Sequence, residues 1–305
     1  MAKKDFISIR DLSGEELQGL LAKGLEVKAH PERFTGALRG QALAMIFEKP
    51  SLRTRVSFDA GIHQLGGFSI NLTPGEINLG KRETVRDVAK NLERMVQGIM
   101  VRTFGHEIVE LMAQHAAVPV INGLTDFSHP CQALADYMTI LEVKGRLCGV
   151  KIAYVGDGNN VAHSLLYGAA LLGVGLSVAT PAGHEPARSV VDWALEMAAR
   201  NGGRVECLAE PQAAVRGADV VYTDVWASMG QEAQAGDRRH AFLPYQVSEG
   251  LFGLAAPDAV FMHCLPAHRG EEVTSGVIDS PRSVVYHQAE NRLHAQKALM
   301  IELMG

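Results

Sequence analysis

The sequence has no apolar run long enough to cross a bilayer, no block of like charges and no closely spaced pair of cysteines. Each lack closes off a class. A spanning helix needs about 20 consecutive apolar residues, and the opening MAKKDFISIRDL lacks the apolar stretch of a signal peptide. A cytoplasmic protein without membrane contacts is therefore expected. The basic residues are scattered and the net charge is -5, so no polyanion-binding face is advertised and nucleic acid is not an expected partner. Cys131, Cys148, Cys207 and Cys264 stand far apart with no CxxC among them. That spacing argues against both a disulfide framework and a zinc site, and reduced thiols are expected.

What is present is ordinary globular material, 305 residues of which 47% are hydrophobic and 21% charged. This length exceeds one typical core, so two domains are expected. From residue 42 onward, short β-branched apolar runs alternate with segments of helical period. The pattern predicts an α/β fold of two doubly wound domains, each with a mainly parallel sheet flanked by helices. Strands are expected at 42–47, 67–72, 98–102 and 118–121 in the first half. In the second half they are expected at 151–155, 176–180, 204–208, 219–223, 259–263 and 283–287. A helical stretch over 132–144, closed by Gly145, separates the two sets and puts the boundary between 1–144 and 145–288. The final segment, about 289–305, carries an apolar stripe at helical spacing and is expected to pack back onto a domain.

Six segments could carry chemistry. In FEKPSLRTRVSFDAG a strand ends and a helix begins at Ser51 and Thr54, so backbone N–H groups, two hydroxyls and the Arg53 guanidinium could cradle a phosphate. The alternative is a plain serine cap with two surface arginines. In TDFSHPCQALADYM, His129 precedes a helix and Gln132 follows on the same side of the first turn. The pair could polarise a carbonyl and hold an amide-like nitrogen; a His-Pro turn capping a helix is the other reading. YVGDGNNVAHSLL invites a dinucleotide-binding reading, but Val161 stands where a third glycine belongs and the next strand ends without a ribose-binding acid. What remains there is a polar strand end, where Asn160 could hold an amino-acid head group.

VVYTDVWASMGQE places Asp224 at another strand end, suited to an ammonium group or to capping a turn. AVFMHCLPAHRGEEV puts Cys264 and Leu265 just past a buried strand. A nucleophilic thiol would need a base such as His263 or His268, so a thiol hydrolase is considered. In HQAENRLHAQK, Arg292 joins Arg53 and the strand-end Arg102 as a third arginine, sufficient for a small dianion.

In this order and spacing, SLRTR, Arg102, HPCQ, DGNN, DVWASMG, HCLP and ENR resemble the aspartate/ornithine carbamoyltransferase family over nearly the whole chain, with SMG and HCLP typical of its ornithine branch. The resemblance implies that Ser51, Leu52, Arg53 and Thr54 bind the phosphate of carbamoyl phosphate, with Arg102, His129, Gln132 and Arg292 completing that site in the first domain. It implies that Asn160, Asp224, Ser228 and Met229 bind ornithine, Asp224 at the α-ammonium, and that Cys264 and Leu265 lie where the substrates meet. Asn78 in EINLGKRE stands where many members have a glutamine that reaches a neighbouring subunit's site. Arg53, Arg102, His129 and Cys264 would carry the catalysis. A homotrimer, or a multiple of trimers, is implied, with no metal or organic cofactor. Closure after the first substrate binds is a further expectation. Transfer to putrescine or an acylated ornithine, and a catalytically silent ligand-binding relative, are the alternatives.

Overall fold

The computed structural model describes residues 3–227 and 235–305. Ser228 and Met229 therefore lie outside the described residues. The backbone separates into two compact units, one running up to Met138 and including Glu290–Gly305, the other Thr139–Ala289. The division falls inside the helix Pro130–Lys144, ahead of the end that the glycine signal marks.

The first unit is built on four parallel strands, β1 (Ala42–Phe47), β2 (Phe68–Leu72), β3 (Gly98–Arg102) and β4 (Val120–Leu124), in the order β2-β1-β3-β4. Every residue of β1, β3 and β4 is buried, as strands covered on both faces must be. One side of this core packs Ala44, Ile46, Ile99 and Val101 against Val88, Val109 and Met112. The terminal helix returns to this unit. At Gly61 an added Cβ would lie 3.0 Å from Met300 Cε and 3.3 Å from Lys297 Cγ, so the absence of a side chain permits the close approach.

The second unit holds five parallel strands: β5 (Lys151–Val155), β6 (Gly175–Ala179), β7 (Arg204–Leu208), β8 (Val220–Thr223) and β9 (Val260–His263). Their order is β7-β6-β5-β8-β9. The sixth strand expected at 283–287 does not form. Ser283 makes an isolated bridge to Phe261 and the Val284 N–H donates to the Phe261 carbonyl, but the helix Val285–Met304 starts at the next residue. A short buried β-branched run has the same hydrophobic signature in a strand and in the first turn of a buried helix.

In both sheets the chain moves outward from an inner strand and later returns to its other side. The reversal lies between β1 and β3 in the first sheet and between β5 and β8 in the second. Open α/β sheets bind ligands beyond the carboxyl ends of the strands at such points.

Candidate active site

At the first switch point, the helix Arg53–Gln64 follows β1. The Ser51 hydroxyl accepts from the Thr54 N–H at 3.2 Å, and no acidic residue stands in the first turn to occupy its positive end. Arg102 closes β3, where pairing with β4 skips Gly123, an irregularity that re-aims a strand-end side chain. Pro130 opens the helix after β4, and the His129 carbonyl accepts from the N–H groups of Gln132 and Ala133.

These segments converge on one hydroxyl. Arg102 Nη1 lies 3.4 Å and Arg292 Nη2 3.1 Å from Thr54 Oγ1, while Arg292 Nη1 donates to Gln132 Oε1 at 2.6 Å. Gln132 Nε2 in turn donates to Asp136 Oδ1 at 2.8 Å. Thr54, Arg102, His129, Gln132 and Arg292 are all buried. With the Gln296 amide oriented to satisfy both its ends, its oxygen accepts from Arg292 Nε at 3.1 Å and its nitrogen donates to Ser57 Oγ at 2.5 Å. Gln296 therefore ties the terminal helix to the helix Arg53–Gln64. Sequence reasoning missed it; its one signal is the helical spacing from Arg292.

Burial first, then the positive charges of Arg292, Arg102 and Arg53, hold the His129 imidazole well below the usual histidine range. That result also places Arg53, half-buried at the helix start, within electrostatic reach of the cluster. A neutral imidazole among guanidinium groups can donate to a carbonyl oxygen, and the surrounding positive potential favours negative charge developing there.

At the second switch point, Asp224 follows β8 and is the hub of a hydrogen-bonded set. Its Oδ2 accepts from Asn159 Nδ2 at 2.7 Å, and its Oδ1 accepts from the Cys264 thiol at 2.9 Å and the Val225 N–H at 2.8 Å. Asn159 caps the helix Asn160–Leu172, its Oδ1 accepting from the Val161 and Ala162 N–H groups, and Tyr154 Oη donates to that oxygen at 3.2 Å. Asn159 is a second residue that sequence reasoning passed over in favour of its neighbour, although its place just before an apolar helix is the cap signal. Asn160 is buried and its carbonyl accepts from Ser164 Oγ at 2.9 Å. Gly158 is explained by packing: a Cβ there would fall 2.2 Å from the Pro186 nitrogen, so this glycine needs no dinucleotide.

Leu265 follows Cys264 with φ 57, a left-handed conformation that is unusual for a branched side chain. Its N–H donates to His263 Nδ1 at 2.8 Å, and His263 Nε2 lies 3.2 Å from Glu272 Oε1. Nδ1 accepts and Nε2 carries the proton. Asp224, His263 and Cys264 each bring a metal-ligand type of atom within 4.8 Å of one another. Both imidazole nitrogens and the thiol are already engaged in these hydrogen bonds.

Asn78 stands apart from the arginine set. It is exposed at the C-cap of the short helix Pro74–Ile77 with φ 48, and its carbonyl accepts from the N–H groups of Lys81 and Arg82. Leu52 is likewise exposed, immediately before the helix of Arg53.

Two family models match the chain. One, described as the aspartate/ornithine carbamoyltransferase carbamoyl-P binding domain, covers residues 4–142, and the other, its Asp/Orn binding domain, covers 148–303. An ornithine carbamoyltransferase of Thermococcus kodakarensis is 56% identical over 310 residues, covering 100% of this chain and 98% of that protein. The solved structure of ornithine carbamoyltransferase from Pyrococcus furiosus aligns with a TM-score of 0.97 at 54% identity, covering 100% of this chain and 98% of its own. That from Thermus thermophilus aligns at 0.89 and 45%, covering 99% of each. With both domain models matched, a fold shared at this level and a buried arginine set at the first switch point, the chain belongs to the aspartate/ornithine carbamoyltransferase family.

Proposed function

We propose that the protein transfers the carbamoyl group of carbamoyl phosphate to the δ-amine of ornithine, giving citrulline and phosphate. The observation that carries this reading is the convergence of Arg102, Arg292 and Gln132 around Thr54, beside a histidine held neutral. Ser51, Leu52, Arg53 and Thr54 take the phosphate through backbone and side chains. Arg102, Gln132 and Arg292 complete its coordination, and His129 donates to the carbonyl oxygen. Asp224 takes the α-ammonium of ornithine, with Asn160, Ser228 and Met229 around the head group, and Cys264 and Leu265 bind at the carbamoyl end. The Asn159 and Cys264 bonds to Asp224 support this assignment by fixing the carboxylate's direction.

The step is direct. The neutral δ-amine attacks the carbonyl carbon, the carbonyl π-pair moves onto oxygen, and the tetrahedral intermediate collapses as the C–O bond to phosphate breaks, the surplus proton of the attacking nitrogen passing to the departing phosphate. Positive donors fixed in advance stabilise both the oxyanion and the leaving dianion. The amine must enter without its proton, and an alkylammonium ordinarily titrates near pH ~10.4; desolvation and the arginines lower that value. The reagent is already activated, so Cys264 positions the amine by hydrogen bonding and forms no covalent intermediate.

Work in the direction of arginine synthesis, in the cytoplasm, fits this reading, and a 54% identical relative from Pyrococcus furiosus is named an anabolic ornithine carbamoyltransferase. A homotrimer goes with it, supported by the exposed apolar Leu52, Val56, Phe68 and Ile70 of the first unit. In that assembly Asn78 would face a neighbouring subunit's site. The test is citrulline formation from carbamoyl phosphate with ornithine, putrescine and acetylornithine offered separately. Product from ornithine alone supports the reading. Turnover with another amine would keep the carbamoyl phosphate half and overturn the role of Asp224, and none at all would leave a ligand-binding protein.

A further inference from the structure

Beyond the residues assigned to substrates, the second unit holds a buried cation among its described residues. Arg238, on the helix Ala235–Phe242, is 9% exposed. Its Nη2 lies 2.6 Å from Asp157 Oδ2, its Nε donates to the Trp226 carbonyl at 2.6 Å, and its guanidinium sits 5.1 Å from the Phe242 ring centre. Asp157 is in the turn after β5, two positions before Asn159, and Trp226 is in the turn after β8, two positions after Asp224. The two Arg238 contacts therefore flank the link between Asn159 and Asp224. A planar guanidinium can serve a carboxylate and a carbonyl at once, whereas an ammonium is a single point charge.

We propose that Arg238 is a positioning residue that clamps the turn after β5 to the turn after β8, setting the spacing at which Asn159 holds Asp224 for the acceptor amino acid. The naming of that acceptor rests on the ornithine reading above; the clamp itself does not. A pH dependence follows from the same geometry. Burial, opposed by Arg238 and reinforced by the charge of Asp224, raises the Asp157 carboxyl to about 6. The other groups facing it are His184, whose Nδ1 lies 3.8 Å from Oδ1, and Tyr154, whose hydroxyl donates to the Asp157 carbonyl. Burial and the charge of Arg238 hold His184 below its ordinary range. Asp157 is ionised above this value and accepts a proton as pH falls through it, which removes the carboxylate half of the clamp.

The test uses the full-length protein and its Arg238→Met, Arg238→Lys and Asp157→Asn variants. Arg238→Met should raise KM for ornithine roughly tenfold or more while KM for carbamoyl phosphate stays within about twofold. Arg238→Lys should recover only part of the loss. In a Trp193→Phe background, which leaves Trp226 as the sole tryptophan, the emission of Trp226 should shift with a midpoint near the Asp157 value, and Asp157→Asn should abolish the shift. Equal changes in both KM values, a lysine variant as good as the parent, or a Trp226 emission indifferent to pH and to Asp157→Asn would each overturn the proposal. A wild-type protein that made no citrulline would defeat the ornithine reading, while the Trp226 signal would still report on the clamp.

Discussion

Arg292 Nη1 and Gln132 Oε1 meet at 2.6 Å across a sequence separation of 160 residues, and the other end of the same amide donates to Asp136. The amide is thus fixed at both ends and can orient the guanidinium only as a carboxamide. Gln132→Ala removes an acceptor from a buried charge, a loss of order 1–3 kcal/mol. The expected outcome is a drop of about tenfold to a hundredfold in kcat/KM for carbamoyl phosphate, read in steady-state kinetics, with a lowered Tm.

Asp224→Asn keeps the size of the side chain and removes its charge. An amide cannot accept at both ends, so one of the Asn159 and Cys264 bonds must also go. KM for ornithine should rise by roughly a hundredfold, about 2–3 kcal/mol, and KM for carbamoyl phosphate should stay within about twofold.

Cys264→Ala tests the direct mechanism. Turnover should fall by about one to two orders of magnitude and persist, as when one positioning hydrogen bond is lost. Intact-protein mass spectrometry during turnover should find no carbamoylated enzyme. Abolished turnover with an adduct trapped elsewhere on the variant would sink the idea.

His129 gives a pH signature of the fold. Its folded pKa lies well below the ordinary 6.5, so below that value the unfolded chain binds the proton and the folded chain does not. Stability from this group is complete above 6.5 and declines as pH falls, at about 1.4 kcal/mol per pH unit for one full proton. Urea unfolding at about pH 7.5 and about pH 5.5 should show a smaller loss in His129→Gln than in the parent, by about 1 kcal/mol.

Asn78 occupies the left-handed region, where asparagine and glycine are tolerated and other residues cost about 1–2 kcal/mol. Thermal melts should place Asn78→Gly near the parent and Asn78→Gln below it, the reverse of what a family pattern of glutamine alone would suggest.

The sheets were legible because β-branched runs of five or six residues, set between helical periods, have few other homes. The run at 283–287 is as long as the strands but failed: Val285 is buried as the first residue of a helix, and Tyr286 beside it is exposed. Each candidate cluster was legible where it is local. Ser51 and Thr54 are read from a strand-to-helix turn, and His129 and Gln132 from one helical turn. Gln296 and Asn159 were not, because the bonds that matter run to Arg292 and Asp224, and their own neighbours in sequence advertise only a helix. Nor could any local pattern join Gln132 to Arg292, since that contact exists only after the terminal helix has come home.

That return has a temporal meaning. The polypeptide is made from its amino end, and the unit containing Thr54, Arg102 and Gln132 includes Glu290–Gly305. A nascent chain stalled before Arg292 lacks one of the three arginines, even when every residue of the second unit has been made. The arginine set is the first begun and the last finished, so a ribosome-bound or prematurely ended chain carries an incomplete set.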